Sequence, residues 1–369
     1  MSKSSQRRIR YPGGEAAQNA GDLCSQIAYR AATATFAFRK GRFGEPVSFS
    51  DGTSGPICID NADGYLVKNS DGVGSKVLIA QRLGRHKSVA HDLIAMVADD
   101  AAAIGAEPFA ATNSLDVAVA DPKLVTELFT GLIDSCRIAR IAMVGGEIAQ
   151  LPEQVCGYSD APYIWNADLV GIAAKEKLLD GTRIKPESTI IAVAGHGIRS
   201  NGLTLAQAIL KERFGVDWIQ QPFCSTTWGE KLLTPSLILT PFLVDLWSGY
   251  HSEPRAQIEG IVHITGGGIP GNLARLLRKT GLGAEIDNLF APQPEFPALQ
   301  KWGEISDKEA YTVWNMGQAH LIITDEPEAV LAFAHEQGVK AQTAGRISVG
   351  GVIRIRSKGI EKALLEYPL

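Results

Sequence analysis

Thr189-Ile190-Ile191-Ala192-Val193-Ala194-Gly195-His196-Gly197-Ile198-Arg199-Ser200-Asn201-Gly202-Leu203 carries three elements in a row. The apolar run Thr189 to Val193 reads as a strand, Gly195 to Gly202 as a loop, and Leu203 to Arg213 as a helix. Strand, glycine loop and helix together aim backbone N–H groups and a helix N-terminus at an anion. The pattern returns downstream, with Ile261 to Ile264 as strand, Gly266-Gly267-Gly268 as loop and Gly271 to Lys279 as helix. A third such strand, His320 to Thr324, follows Asn315-Met316-Gly317. Alternation of this kind predicts an α/β fold.

Upstream, Pro56 to Ile59 and Tyr65 to Val67 are short apolar runs bounded by Asp, Asn and Gly, and read as strands that end at Ser70-Asp71-Gly72-Val73-Gly74-Ser75-Lys76. A lone Asp-Gly-Val-Gly is by default a turn; an aspartate, two glycines and a lysine also suit a phosphate with its cation. The spacing is not that of a P-loop. From Ser88 to Ile104 the pattern is helical, with Leu93, Met96, Val97 and Ile104 on a stripe and Gly105 past the end. Asp92 and Asp99 fall within about 20° of each other on that helix and Asp100 about 80° further round. Asp121-Pro122 announces a second helix running to about Arg137. Ile141 to Val144 then reads as a buried strand delivering Gly145-Gly146-Glu147 to its carboxyl end, where α/β folds meet ligands.

At 369 residues, two domains are expected. The polar, turn-rich segment Leu179 to Glu187 divides the chain into 1–178 and 179–369. A formal net charge of -4 with 21% charged residues gives no blanket positive field and argues against nucleic acid as the main partner. The one basic run, Lys3, Arg7, Arg8 and Arg10, reads as a solvated terminus. No apolar run reaches membrane-spanning length and none follows the basic start as a secretory signal requires, so no membrane partner and a cytoplasmic location are the expectation. Cys24, Cys58, Cys136, Cys156 and Cys224 are scattered without C-x-x-C spacing and read as reduced thiols.

Chemistry points the same way. No lysine or arginine lies between Ala90 and Ile104 to pair Asp92, Asp99 and Asp100, and unpaired acids on a largely apolar helix cost stability unless a cation or wet cleft receives them. Three consecutive glycines at 266–268 cost entropy unless something approaches the backbone closely. His263 reads as a satisfied core histidine, His91 and His196 stay open, and neither a zinc spacing nor a G-x-S-x-G elbow appears. Hard carboxylates with glycine loops suit Mg²⁺ and a nucleotide, which is most of what phosphoryl transfer asks for.

Taken in order, Ser70 to Lys76, Asp92 to Met96 with Asp100, Gly105 to Pro108, Val144 to Glu147, Ser200-Asn201-Gly202, His263 to Gly268 and Asn315 to Gly317 resemble the phosphoribosylformylglycinamidine cyclo-ligase family, from about Tyr11 to about Val349. The resemblance implies two α/β domains, the N-terminal one forming a β-barrel across a homodimer, with ATP and a small nucleotide substrate in the cleft. It implies phosphorylation of a formyl amide oxygen, attack of an amidine-derived nitrogen on that carbon, and ring closure. By motif, Asp71, Asp92, Asp100 and Glu147 would hold Mg²⁺ and the ATP phosphates, with Asp99 an additional acid in that group. Lys76 would donate to phosphate, and Gly72, Gly74, Gly145, Gly146, Asn201 and Gly266, Gly267 and Gly268 would line nucleotide or substrate. The chain departs from the family in five places. Arg199 stands where the family has histidine, Asp99 where it has asparagine, Thr312 where it has arginine, and Gly41-Arg42-Phe43-Gly44 and Gly317-Gln318-Ala319-His320 replace glycine-richer runs. With guanidinium for imidazole, either His196 supplies the acid/base group or the step needs only positive charge at Arg199. A diverged kinase or ligase for another small substrate, in the manner of the thiamine-monophosphate-kinase relatives, and a non-catalytic nucleotide-binding paralogue are the alternatives.

Overall fold

The computed structural model describes residues 46–47, 57–61, 64–247, 249–250 and 253–369, with Phe38 and Lys40. The basic terminus, Cys24, Pro56 and the Gly41 to Gly44 run lie outside the described residues. In chain order the first half holds β1 (Pro46–Val47), β2 (Ile57–Asn61), β3 (Gly64–Gly72), α1 (Lys76–Leu83), α2 (Val89–Ala103), β4 (Glu107–Val117), α3 (Pro122–Ala139), β5 (Ala142–Gln150) and β6 (Tyr163–Ala173). These strands form one mixed sheet in the order β1-β2-β3-β6-β4-β5, antiparallel except for the β4–β5 pair.

The second half holds β7 (Thr189–Ala194), α4 (Leu203–Phe214), β8 (Pro222–Phe223), β9 (Thr226–Thr227), α5 (Trp228–Leu232), α6 (Thr240–Trp247), β10 (Ile258–His263), α7 (Gly268–Leu277), β11 (Gly283–Ile286), α8 (Glu295–Gly303), α9 (Asp307–Val313), β12 (Gln318–Thr324), α10 (Pro327–Glu336), β13 (Ala341–Ser348), β14 (Val352–Arg356) and β15 (Leu364–Pro368). Its seven-stranded sheet runs β10-β12-β7-β13-β11-β14-β15, with β11–β14 its parallel pair. The change of sheet falls between Ala173 and Thr189.

The helix α2 joins the halves. Of its fifteen residues only His91 and Asp100 are not fully buried, and a helix apolar all round belongs inside. One side packs on β3 and β6, the other on α6 and β10. Ser88 and Ile104 flank it and Gly105 turns with a positive φ of 85°. For α3, the Asp121 carboxylate accepts the Lys123 N–H at 2.9 Å with Pro122 at the first helical position, as the sequence pattern predicts.

Two elements differ from their sequence reading. β3 extends through Asp71 and Gly72, so the aspartate sits on the last rung but one of a strand rather than in a loop. Gly145-Gly146-Glu147 lies inside β5, not beyond its end, and β5 is an exposed edge strand with Val144 67% accessible. Apolar content at Ile141 to Val144 suggested burial, but an edge strand exposes one face and one side, and composition cannot separate an edge from a centre.

Candidate active site

A buried polar network runs across the boundary between the halves. Lys76 opens α1, and its ammonium is completely buried, donating to Asp92 Oδ1 at 2.6 Å and to the Thr234 carbonyl at 2.8 Å. Ser236 donates to the same Asp92 oxygen at 2.6 Å and faces Arg199 Nε at 3.4 Å. Arg199 reaches Asp99 Oδ2 at 3.2 Å through Nη2 and His263 Nε2 through Nη1. Asp99 Oδ1 also accepts from Thr240 Oγ1 at 2.7 Å and the Leu239 N–H at 3.1 Å. His263 Nδ1 lies 2.6 Å from Asp100 Oδ1. A guanidinium has no acceptor, so His263 Nε2 is the accepting nitrogen and Nδ1–H donates to Asp100.

Sequence reasoning expected acids on α2 without cationic partners, which held only within the helix. The cations come from elsewhere, Lys76 for Asp92 and Arg199 for Asp99. Lys76 thus ties α1 to α2 and to the irregular segment at Thr234 instead of facing an opening. One nitrogen or oxygen from each of Asp99, His263 and His320 also lies within 4.8 Å of the others, a grouping suited to a metal. The Arg199 guanidinium already bonds two of the three, and His320 stacks on His263 with ring centroids 4.6 Å apart.

The open side of this network carries Asp100 and Asp71. Asp100 retains partial exposure and takes its second hydrogen bond from Asn69 Nδ2 at 3.5 Å. Asp71 Oδ1 accepts the Gly72 N–H at 2.7 Å. Burial pushes both carboxyls up to about 6; the Gly72 N–H opposes this at Asp71 while the Asp100 charge adds to it, and Asn69, Arg199 and Arg275 oppose it at Asp100. Burial likewise raises Asp99 to about 6 against the pull of Arg199. Two neighbouring carboxyls held above their usual range would each give up a proton to solvent on taking a cation.

Glycine loops face them. Thr204 Oγ1 meets Ser75 Oγ at 3.2 Å and Gln207 Nε2 meets the Ser75 carbonyl at 3.4 Å, which places the N-terminus of α4 beside the Gly72 to Ser75 turn. Gly266 lies against Asn201 Nδ2 and joins the start of α7 to that of α4. Neither helix has a side-chain cap; at α4 the first N–H groups, Leu203 to Leu205, face no side-chain acceptor, whereas at α7 the Gly268 N–H donates to the Thr265 carbonyl at 3.0 Å and Pro270 has no N–H to offer. Gly268 has φ +60°, and a Cβ there would fall 1.9 Å from the Tyr311 carbonyl, so this glycine is required by backbone crowding. Asn201 Oδ1 and Ser200 Oγ are buried with no hydrogen-bond partner among the described residues. His196, on the same loop, is exposed.

The third predicted group is elsewhere. Asp71 pairs with Ala167, Ala167 with Asn113, and Asn113 with Gly146, so three strand spacings, about 14 Å, separate Asp71 from Gly146 within one subunit. Gly145, Gly146 and Glu147 instead line a cavity of 630 Å³ with Phe129, Met143 and Asn113. Gly146 has a packing reason as well, since a Cβ would come 2.5 Å from Asn113 Nδ2. Residues that sequence reasoning missed are Asn69, Ser236 and Thr240, each a lone polar residue without a motif. His263 was underrated; its signal was adjacency to Thr265-Gly266-Gly267-Gly268.

Two α/β halves, each with its own mixed sheet, joined through the buried helix α2 define a two-domain class of α/β protein. The family models for the AIR synthase related protein, N-terminal and C-terminal domains, match residues 55–173 and 185–358, and the chain belongs to this family. A phosphoribosylformylglycinamidine cyclo-ligase of Rippkaea orientalis is 34% identical over 77% of this chain and 82% of its own. One from Methanocaldococcus jannaschii is 32% identical over 84% and 85%. Among solved structures, AaThiL complexed with AMPPCP and TMP superposes with a TM-score of 0.58 at 13% identity, covering 92% of this chain and 96% of that one. T. maritima PurL complexed with FGAR gives 0.58 at 16% identity, covering 96% of this chain and 52% of its own. At such identities the structures share the fold alone.

Proposed function

We propose that this chain is an ATP-dependent cyclo-ligase that closes the imidazole ring of aminoimidazole ribonucleotide from formylglycinamidine ribonucleotide. The observation that carries the reading is identity of about a third to cyclo-ligases over most of both chains. The site's chemistry supports it. ATP transfers its γ-phosphoryl group to the formyl oxygen and leaves as ADP; the amidine-derived nitrogen attacks the activated carbon; phosphate departs with that oxygen and the nitrogen loses a proton.

In this reading the uncapped start of α4, with the Gly266–Gly267 and Gly72 to Gly74 turns, cradles phosphate, and Asn201 orients substrate through its unpartnered amide oxygen. Asp71 and Asp100 hold Mg²⁺; their hard oxygens suit it, and a bound Mg²⁺ would neutralise phosphate charge. Asp92, Asp99, Lys76 and Arg199 act behind them as the frame. Glu147 with Gly145 and Gly146 serves a nucleotide site only across a subunit boundary, and the exposed apolar side chains Ile133, Val144, Ile148 and Ile164 support a homodimer through the β5 edge. The dimer works in the cytoplasm, where its charged nucleotide substrates are confined. No helix among the described residues is long and apolar enough to cross a membrane.

Purified protein given ATP, Mg²⁺ and formylglycinamidine ribonucleotide should release ADP, phosphate and the imidazole product in equal amounts. ATP consumption without cyclised product would overturn the substrate assignment.

A further inference from the structure

Asn315-Met316-Gly317 lies under the Gly195 to Gly202 loop, and no residue of it enters the chemistry above. Its turn is built of two consecutive left-handed residues, Met316 at φ +46° and Gly317 at φ +91°, the first a fully buried non-glycine in a conformation that costs energy. It is closed by the Gly317 N–H, which donates to Asn315 Oδ1 at 2.9 Å, and by Gln318 Nε2, which donates to the Met316 carbonyl at 2.6 Å. With its oxygen taken, the Asn315 amide turns its nitrogen the other way, and Nδ2 donates to the Gly197 carbonyl at 2.9 Å. One residue earlier, Trp314 Nε1 donates to the Gly202 carbonyl at 3.0 Å. Two adjacent side chains thus hold the two ends of the segment 198–201.

We propose that Trp314 and Asn315 are positioning residues that clamp this segment so that Ser200 and Asn201 meet the ribonucleotide substrate. This role deepens the reading above and rests on it for the identity of the ligand. Both side chains are buried, Trp314 completely, so they act through the loop and not on a ligand. Among the described residues the Gly197 carbonyl has no donor but Asn315. Gly202 has a second donor, the Ala206 N–H at 3.2 Å, and there the indole adds a seat: a Cβ on Gly202 would fall 2.3 Å from Trp314 Cδ1. Gly197 and Gly202 turn with φ of 76° and 81°, so each is a swivel that needs holding.

Between the two swivels, Ser200 Oγ and Asn201 Oδ1 are buried with no partner among the described residues. Leaving such atoms unmet costs stability, and a ligand that bonds to them recovers it. A hydroxyl and a carboxamide each donate and accept. Formylglycinamidine ribonucleotide presents both N–H and C=O groups to them, whereas the triphosphate of ATP presents acceptors alone. The segment therefore answers to the ribonucleotide.

Three full-length variants test the clamp. Asn315→Asp keeps the acceptor for the Gly317 N–H and replaces the donor by an oxygen that repels the Gly197 carbonyl. Trp314→Phe keeps an aromatic ring and loses the N–H. Ser306→Ala removes the cap of α9, where Ser306 Oγ accepts the Glu309 N–H at 3.2 Å, and touches neither end of the loop. Each of the first two should raise the KM for formylglycinamidine ribonucleotide by roughly tenfold, the worth of one hydrogen bond, with the KM for ATP within about twofold of the parent. Ser306→Ala should lower the melting midpoint and leave both KM values alone. In the ligand-free chain, ¹⁵N relaxation of the Ser200 and Asn201 amides should give order parameters of about 0.85 in the parent and about 0.6 or less in the two loop variants.

Parent-like KM values or order parameters in both loop variants would overturn the clamp, as would a rise in KM that Ser306→Ala shares at an equal loss of melting midpoint. An equal or larger rise for ATP would overturn the choice of ligand. If Asn315→Asp does not fold, Trp314→Phe carries both measurements. If the parent closes no ring, the functional reading fails alone, because the order parameters still report the clamp.

Discussion

Replacing Lys76 by methionine separates two tasks that the same side chain could perform. Its ammonium is fully buried, bonded to Asp92 at 2.6 Å and to the Thr234 carbonyl at 2.8 Å. Methionine fills a similar volume, so the cavity contribution is small and the cost comes from Asp92. Its Oδ1 would keep only the Ser236 hydroxyl, and its Oδ2 has no partner among the described residues. Breaking a buried pair from one side costs about 3–5 kcal/mol. With an unfolding entropy of about 2.1 cal/mol/K per residue, a 369-residue chain melting as one unit would lose about 4–6 °C. The assay is calorimetric melting of the parent, Lys76→Met and Lys76→Met/Asp92→Leu, with the KM for ATP measured on each. The double variant should regain most of the stability, because apolar pairs substitute well for buried ion pairs. A single variant that melts with the parent but needs tenfold more ATP would refute this reasoning and return Lys76 to the phosphates.

Asp71→Ala should abolish turnover while leaving the fold intact, checked by far-ultraviolet circular dichroism; undiminished turnover would remove Asp71 from the cation site. Because Asp71 and Asp100 sit near 6 and act ionised, activity at low Mg²⁺ should be level above about pH 6 and fall at least tenfold per unit below it, in a kcat/KM profile against pH. His263 and His320 are held well below 6.5 by burial, with Arg199 adding to the effect, so the unfolded chain takes up protons that the folded one refuses. The stability they support is complete above about pH 6.5 and declines as pH falls, by about 1.4 kcal/mol per unit for each. His320→Phe keeps the stack and removes one of the two, so its advantage over the parent in guanidinium midpoint should widen from pH 7 to pH 5; a constant difference contradicts this. Val144→Asp on the β5 edge should convert dimer to monomer in sedimentation velocity, and an unchanged profile would disprove that interface.

Much of the fold was legible because its signals are local. Asp121-Pro122 caps α3 through its own neighbours, and the strand, loop and helix after Thr189 need only apolar period and glycine. The site was half legible for the same reason. Asp71, Asp100 and the glycine loops carry short motifs, whereas the partners of Asp92 and Asp99 arrive from 16 to 144 residues away with no pattern in between. Charge on α2 looked unpaired only because pairing was sought along the helix. Gly145 to Glu147 misled in the opposite way, since a motif reports which residues are present and not whether their strand is central or at an edge.

The network on α2 has a mechanical consequence. Asp92, Asp99 and Asp100 belong to one half, while Thr234, Ser236, Leu239, Thr240, Arg199 and His263 belong to the other. Swinging the halves apart would pull charged groups out of their pairings in a dry interior, at several kcal/mol for each pair broken. The two halves are therefore bolted together along α2. Any motion that keeps these pairs intact has to arise outside the network, in segments such as the Gly72 to Ser75 turn.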